Sequence, residues 1–172
     1  NITSGGAITF KSAPDFETPL GGSSNNSNTY EITVNVNDGS VDVLQAHTIA
    51  VINVNEAPVI TNGDTDTASV AENQTSAIDV DHTDVDSGDT ITYSISGGAD
   101  AAKFNIVGST GVVTFKTEPN FEANASAGGN NDYVIVVTAT DNGTGTLADS
   151  QTITISVTDA NDAPVITNGD TD

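Results

Sequence analysis

The residues best equipped for chemistry are acids and amides in short runs: Ala71-Glu72-Asn73, Asp84-Val85-Asp86, Asn120-Phe121-Glu122, Asp141 and Asp159-Ala160-Asn161-Asp162. Asp15, Glu17, Asn53, Asn55 and Glu56 form a similar set nearer the N-terminus. Their oxygens are hard ligands in numbers that suit Ca²⁺, which takes six to eight oxygen contacts, better than Mg²⁺, which retains water. Other site chemistry has little support. His47 and His82 have no second His or Cys at ligand spacing, and the absence of Cys excludes disulfides and zinc-thiolate sites. Gly97-Gly98 and Gly128-Gly129 precede no helix that would cradle a phosphate. No Ser/His/Asp set follows from spacing, so no enzyme is expected. The Asn-x-Ser/Thr sequons at Asn1, Asn25, Asn73, Asn124 and Asn142 are what a chain this rich in Asn, Ser and Thr generates by chance.

The 172 residues carry 24 acids against 3 cations, a formal net charge of −21. Phosphate recognition needs clustered Lys and Arg. Here only Lys11, Lys103 and Lys116 are present, well apart in sequence, which excludes nucleic acid and anionic membrane surfaces as partners. The apolar run Val134 to Val137 is far too short to span a bilayer.

Low apolar content with high charge is also the composition of disorder, but the local pattern opposes that reading. Tyr30 to Asn37, Thr90 to Ser96 and Thr152 to Thr158 alternate apolar and polar residues at period 2, the mark of half-buried strands. Abundant Thr, Asn, Asp and Gly favour strands and turns over helix. The expected fold class is all-β.

The positioning elements follow from an internal repeat. Val59 to Asp66 recurs unchanged as Val165 to Asp172, a period of 106. Thr9-Phe10-Lys11 with Pro14 and Phe16-Glu17 returns as Thr114-Phe115-Lys116 with Pro119 and Phe121-Glu122; Tyr30 to Asp38 matches Tyr133 to Asp141, and Asn55 to Pro58 matches Asn161 to Pro164. The chain therefore reads as the C-terminal half of one repeat (1–57), a complete repeat (58–163) and the first strand of a third (164–172). A unit of this length can bury its own core as a two-sheet sandwich.

Within the complete repeat the pattern predicts seven strands: 59–62 continued as 68–72, then 76–81, 89–96, 102–107, 111–117, 133–141 and 150–159. Expected inward residues are Ile60, Val70, Ile78 and Val80; Ile91, Tyr93, Ile95, Phe104 and Ile106; Val113, Phe115, Tyr133, Ile135 and Val137; and Ile153, Ile155 and Val157. His47, at the position of Ile153, is expected to be a partly buried strand residue. Strands of alternating direction send Glu72, Asn120, Glu122, Asp159 and Asp162 to one pole, and Asp84, Asp86 and Asp141 to the other. Solvated loop acids would instead scatter over the outer faces. So many carboxylates at a joint between repeats would repel unless a cation sat among them.

These elements carry a family resemblance. Asp159-Ala160-Asn161-Asp162-Ala163-Pro164 resembles the Asp-x-Asn-Asp linker motif of cadherin repeats, Ala71-Glu72-Asn73 the Glu-Asn element and Asp84-Val85-Asp86 the Asp-x-Asp element. Asn120-Phe121-Glu122 is similar to the Asp-Arg-Glu element, and Ala139-Thr140-Asp141 to the Ala-x-Asp that ends the sixth strand. The nearest resemblance is to bacterial cadherin-like repeats of long secreted or surface-anchored, RTX-type adhesins. It implies tandem seven-stranded Greek-key sandwiches with up to three Ca²⁺ at each joint. The first joint would use Asp15, Glu17, Asn53, Asn55 and Glu56 from one repeat with Asp84, Asp86 and Asp141 from the next. Asn53 and Glu56 depart from the linker motif, and Asn120 stands where an Asp is usual.

The implied function is a calcium-rigidified extender of an extracellular adhesin or fibre, secreted or at the cell surface, that holds binding domains away from the cell. Its partners would be neighbouring repeats of the same chain, with lateral self-association confined to high salt or excess divalent cation. The alternatives are a polysaccharide-binding module, which would need exposed aromatics, and a homophilic cell-adhesion module.

Overall fold

The computed structural model describes residues 1–19 and 27–166. The sequon at Asn25 and all but the first two residues of the second octapeptide copy, 165–172, lie outside the described residues. The chain divides into two compact units, Asn1–Asn55 and Glu56–Asp172.

In the first unit, β1 (Thr29–Asn37) and β2 (Asp42–Ala50) form an antiparallel hairpin. Its turn is closed by Asp38 Oδ1, which accepts from the N–H groups of Ser40 and Val41, each at 2.9 Å. Gly39 supplies the positive φ that the turn requires, 102°. Phe10 meets Tyr30 edge-on, with ring centroids 5.1 Å apart. The second unit repeats this contact as Phe115 on Tyr133, at 5.3 Å.

One expectation fails here. His47 pairs with Ile32 just as Ile153 pairs with Ile135, so its strand position is as anticipated, but its side chain is exposed. The described part of this unit provides no opposing sheet, and burial needs a second layer as well as strand parity.

The second unit contains β3 (Val59–Ile60), β4 (Thr65–Ala71), β5 (Ser76–Asp79), β6 (His82–Thr83), β7 (Thr92–Gly97), β8 (Phe104–Ile106), β9 (Val112–Phe115), β10 (Asp132–Thr140) and β11 (Ala148–Thr158). One sheet has the order β4-β11-β10-β7, a second β5-β9-β8, and β3 pairs with β6. Between the sheets lies one core, in which Ile135, Val137, Ile153 and Ile155 are fully enclosed and Phe104, Phe115 and Tyr133 form an aromatic cluster. Every expected inward residue belongs to this core or packs against it.

The strand ends differ from the sequence pattern for local reasons. The first strand breaks at Asn62 and Gly63, both at positive φ, and resumes at Thr65, three residues before the expected 68. Buried Gln151 stabilises that break, donating from Nε2 to the carbonyls of Thr61 (2.8 Å) and Gly63 (2.7 Å). Expected strand 89–96 starts late, at Thr92, because Asp89 closes a turn onto the Asp86 carbonyl and Thr90 donates its N–H to Asn142 Oδ1. A 3-10 turn, Ala101–Lys103, replaces the start of strand 102–107.

Candidate metal centre

β11 is the yardstick of the second unit: its eleven residues span on the order of 30 Å. Acidic groups gather at each end of it. At its finish, β4 runs parallel to it, and the N–H of Glu72 donates to the Thr158 carbonyl at 3.1 Å, so Glu72 leaves β4 beside Asp159.

Glu72 is buried and fully used. Its Oε1 accepts from Ala160 N–H at 2.9 Å and its Oε2 from Phe121 N–H at 2.8 Å. These two bonds, that to Ala160 first, hold its carboxyl below the usual glutamate range against the opposing effect of burial, with a smaller contribution from Asp159. Oxygens of Glu72, Glu122 and Asp162 lie within 4.8 Å of one another. Asn73, at a φ of 63°, turns the chain here and donates from Nδ2 toward Asp162 Oδ1 at 3.5 Å. Asp159 and Asn161 are exposed beside this group. The Oδ1 of Asn120 is taken by Ala123 N–H at 2.6 Å. In the first unit Asp15 does the same for Thr18 N–H at 2.8 Å, so this position shapes a turn in both units.

At the start of β11, Asp141 is buried, and its Oδ1 accepts from the N–H groups of Leu147 (2.9 Å) and Gly143 (3.1 Å) within the β10-to-β11 loop. The loop from 84 to 89 closes over it. Asp84 Oδ1 accepts from Asp86 N–H at 2.9 Å, and Asp86 Oδ2 from Glu56 N–H at 2.8 Å. Oxygens of Asp84, Asp89 and Asp141 come within 4.8 Å of one another. Burial first, and then the charges of Asp86, Asp141 and Asp84, push the Asp89 carboxyl above its ordinary value.

Two oxygens in this upper group, Asp84 Oδ2 and Asp89 Oδ2, are buried without a hydrogen-bond partner. An unpaired buried carboxylate oxygen is costly, and two of them beside a third carboxylate more so. The donor set is all oxygen, which suits a hard cation of Ca²⁺ type. Sequence reasoning missed Asp89, which the period-2 pattern assigned to a strand. The turn residues Ser87-Gly88 before it were the available signal.

The remaining expected ligands divide between the units: Asp15, Glu17, Asn53 and Asn55 lie in the first, and Glu56, with its N–H on Asp86, in the second.

A cadherin domain model matches residues 66–158, more than half of the chain, which settles the family. The chain belongs to the cadherin domain family. This cadherin domain is 35% identical over 88 residues to human Protocadherin Fat 1, a match covering 51% of the present chain and 2% of that relative. Among solved structures, the fold is similar to extracellular cadherin domains 1–4 of Protocadherin Gamma B7, with a TM-score of 0.65 and 23% identity over 94% of this chain and 39% of that one. Drosophila N-cadherin EC1-4 gives 0.63 and 21%, over 91% and 39% respectively. The cadherin chain therefore spans well under half the length of each of these proteins. No described helix is long and apolar enough to cross a membrane.

Proposed function

We propose that this chain is a Ca²⁺-rigidified extender within a long extracellular adhesin or fibre of bacterial type, secreted or anchored at the surface. The observation that carries this reading is the pair of unpartnered buried oxygens, Asp84 Oδ2 and Asp89 Oδ2, on two carboxylates that cluster with Asp141 at one end of the complete repeat. Up to three Ca²⁺ would sit at each joint. Asp15, Glu17, Asn53, Asn55 and Glu56 would supply one side of the first joint, and Asp84, Asp86, Asp89 and Asp141 the other. Glu72, Asn120, Glu122, Asp159, Asn161 and Asp162 would serve the joint that follows.

Bound cation would neutralise carboxylates that otherwise repel, and would restrain the linker between repeats. The apolar core needs no ion to form, so the metal acts on rigidity more than on folding. Polysaccharide binding is not favoured in the complete repeat, where Tyr93, Phe104, Phe115 and Tyr133 are buried in the core and Phe121 is half-buried. Calorimetric titration tests the proposal. Saturable Ca²⁺ uptake with dissociation constants of about 0.1 to 1 mM is expected for an extracellular module, and no uptake up to about 10 mM would overturn it.

A further inference from the structure

The complete repeat, 58–163, carries sixteen carboxylates against two lysines, and the fold sets those two lysines side by side. β8 and β9 pair Phe104 with Phe115, and the Lys116 N–H donates to the Lys103 carbonyl at 2.8 Å, which carries the same register one residue further. Phe104 and Phe115 belong to the core, so the next pair faces outward. Lys116 is exposed, and the Lys103 side chain is 40% exposed. Like charges directly opposite each other weaken a sheet. Asp100 offsets this pair only in part, since its Oδ1 lies 4.0 Å from Lys103 Nζ and already accepts from Ala127 N–H. Each ammonium donates to a backbone carbonyl, Lys103 to Ala125 and Lys116 to Ala102, which leaves further N–H groups on both. Both lysines line a cleft of about 450 Å³. Ala102, Pro119, Ala123 and Ala125 give it an apolar wall, buried Phe115 and Tyr133 close it toward the core, and exposed Glu118 borders it.

We propose that this cleft binds a small organic carboxylate with an apolar body, its charged group held between Lys103 and Lys116. An anion placed there relieves the repulsion between two opposed ammonium groups, and their remaining N–H groups suit the two oxygens of a carboxylate. The apolar wall then takes the body of the ligand. The volume lies within the range of small-molecule sites, about 300–1,000 Å³. A large acidic partner is the weaker occupant, because the surrounding carboxylates repel an extended negative surface while a small ion reaches the lysines. A sugar ring is weaker still, since the faces of Phe115 and Tyr133 are packed in the core. The inference holds whether or not the repeat ends take Ca²⁺.

The test is an amide-shift titration of the ¹⁵N-labelled chain with octanoate, in buffer freed of divalent cations so that no bound ion at the repeat ends recruits the carboxylate. Acetate supplies the charge alone and 1-octanol the body alone. Saturable shifts at Ala102, Lys103, Lys116 and Ala125 are expected with octanoate, at a dissociation constant of about 1 mM. Acetate and 1-octanol should each bind at least about tenfold more weakly. Lys103→Gln and Lys116→Gln, checked for fold by circular dichroism, should weaken octanoate at least about tenfold. Lys116→Arg keeps the charge and should retain binding, and Lys11→Gln in the first unit should change nothing. No saturation up to about 20 mM, or binding indifferent to both Gln variants, would overturn the proposal. So would 1-octanol binding as well as octanoate, since the lysines would then only tie their loops, and so would acetate binding as well, since the apolar wall would then play no part.

Discussion

Glu72 and Ala160, 88 residues apart, are joined by a 2.9 Å hydrogen bond from the Ala160 N–H to the Glu72 carboxylate. The other oxygen of Glu72 takes Phe121 N–H. One buried side chain thus gathers the end of the first strand, the loop before β10 and the start of the linker. Glu72→Gln replaces one carboxylate oxygen with an NH₂ group that cannot accept, while the other oxygen still can, so one of these N–H groups loses its partner. The Ca²⁺ affinity of the group formed by Glu72, Glu122 and Asp162 should fall by at least about tenfold, the scale seen when a ligand-orienting contact is lost. Its pH dependence has a fixed sign. Because the folded carboxyl is held low, Glu72 contributes stability above its ordinary value near 4.5, and that contribution is lost as pH falls through the folded value. Urea unfolding in chelator at several pH values should show wild type losing stability below that range more steeply than Glu72→Gln.

Asp89 should behave in the opposite way. Burial and three neighbouring acids raise its pKa, so its ionisation disfavours the ion-free fold, and stability in chelator falls as pH rises above its ordinary value of 3.8. Asp89→Asn at neutral pH should raise the melting temperature in chelator and lower it in saturating Ca²⁺. Paired thermal melts check the crossover, and a shift of the same sign in both media would remove Asp89 from the ligand set.

Two acids of the complete repeat separate the poles from ordinary surface. Asp86 caps the Glu56 N–H beside the upper group, whereas Asp66 accepts from Thr67 N–H and Asn62 Nδ2 along β4. Asp86→Ala should weaken Ca²⁺ uptake at the first joint by at least about tenfold. Asp66→Ala should leave that uptake unchanged. Equal losses in calorimetric titrations would contradict the placement of the site.

Much of this was legible in the residues, for physical reasons that can be named. Ile135, Val137, Ile153 and Ile155 stood out because strands alternate with a period of 2, and the same alternation placed Glu72 and Asp141 at strand ends. Buried polar groups were harder to see. Asp100 lies in a polar loop, yet it is almost wholly enclosed and accepts from Ala127 N–H at 2.7 Å and Val134 N–H at 3.0 Å. Gln151 sits at an inward parity position, but nothing in its neighbours announces that two carbonyls 88 and 90 residues away need a donor. His47 was misjudged because parity gives the face of a strand but not whether another layer covers it.

Gln151 offers a stability test remote from any metal. Gln151→Leu removes the donor shared by the Thr61 and Gly63 carbonyls and puts an apolar side chain against them, and should cost about 1–3 kcal/mol. Gly98→Ala should be worse, since a Cβ at its φ of 101° would lie 2.4 Å from the Ile135 Cα. Urea unfolding of both variants, in Ca²⁺ and in chelator, should give losses independent of the ion.

The central claim is that Ca²⁺ stiffens the joint without building the sandwich. Small-angle scattering of the chain with saturating Ca²⁺ and with chelator tests it most directly, using circular dichroism to follow the strands in parallel. The account predicts an unchanged strand signal together with a maximum dimension that shortens and a distance distribution that broadens when the ion is removed. An unchanged maximum dimension would contradict it, and the acidic ends would then be solvated surface with no part in holding the repeats in line.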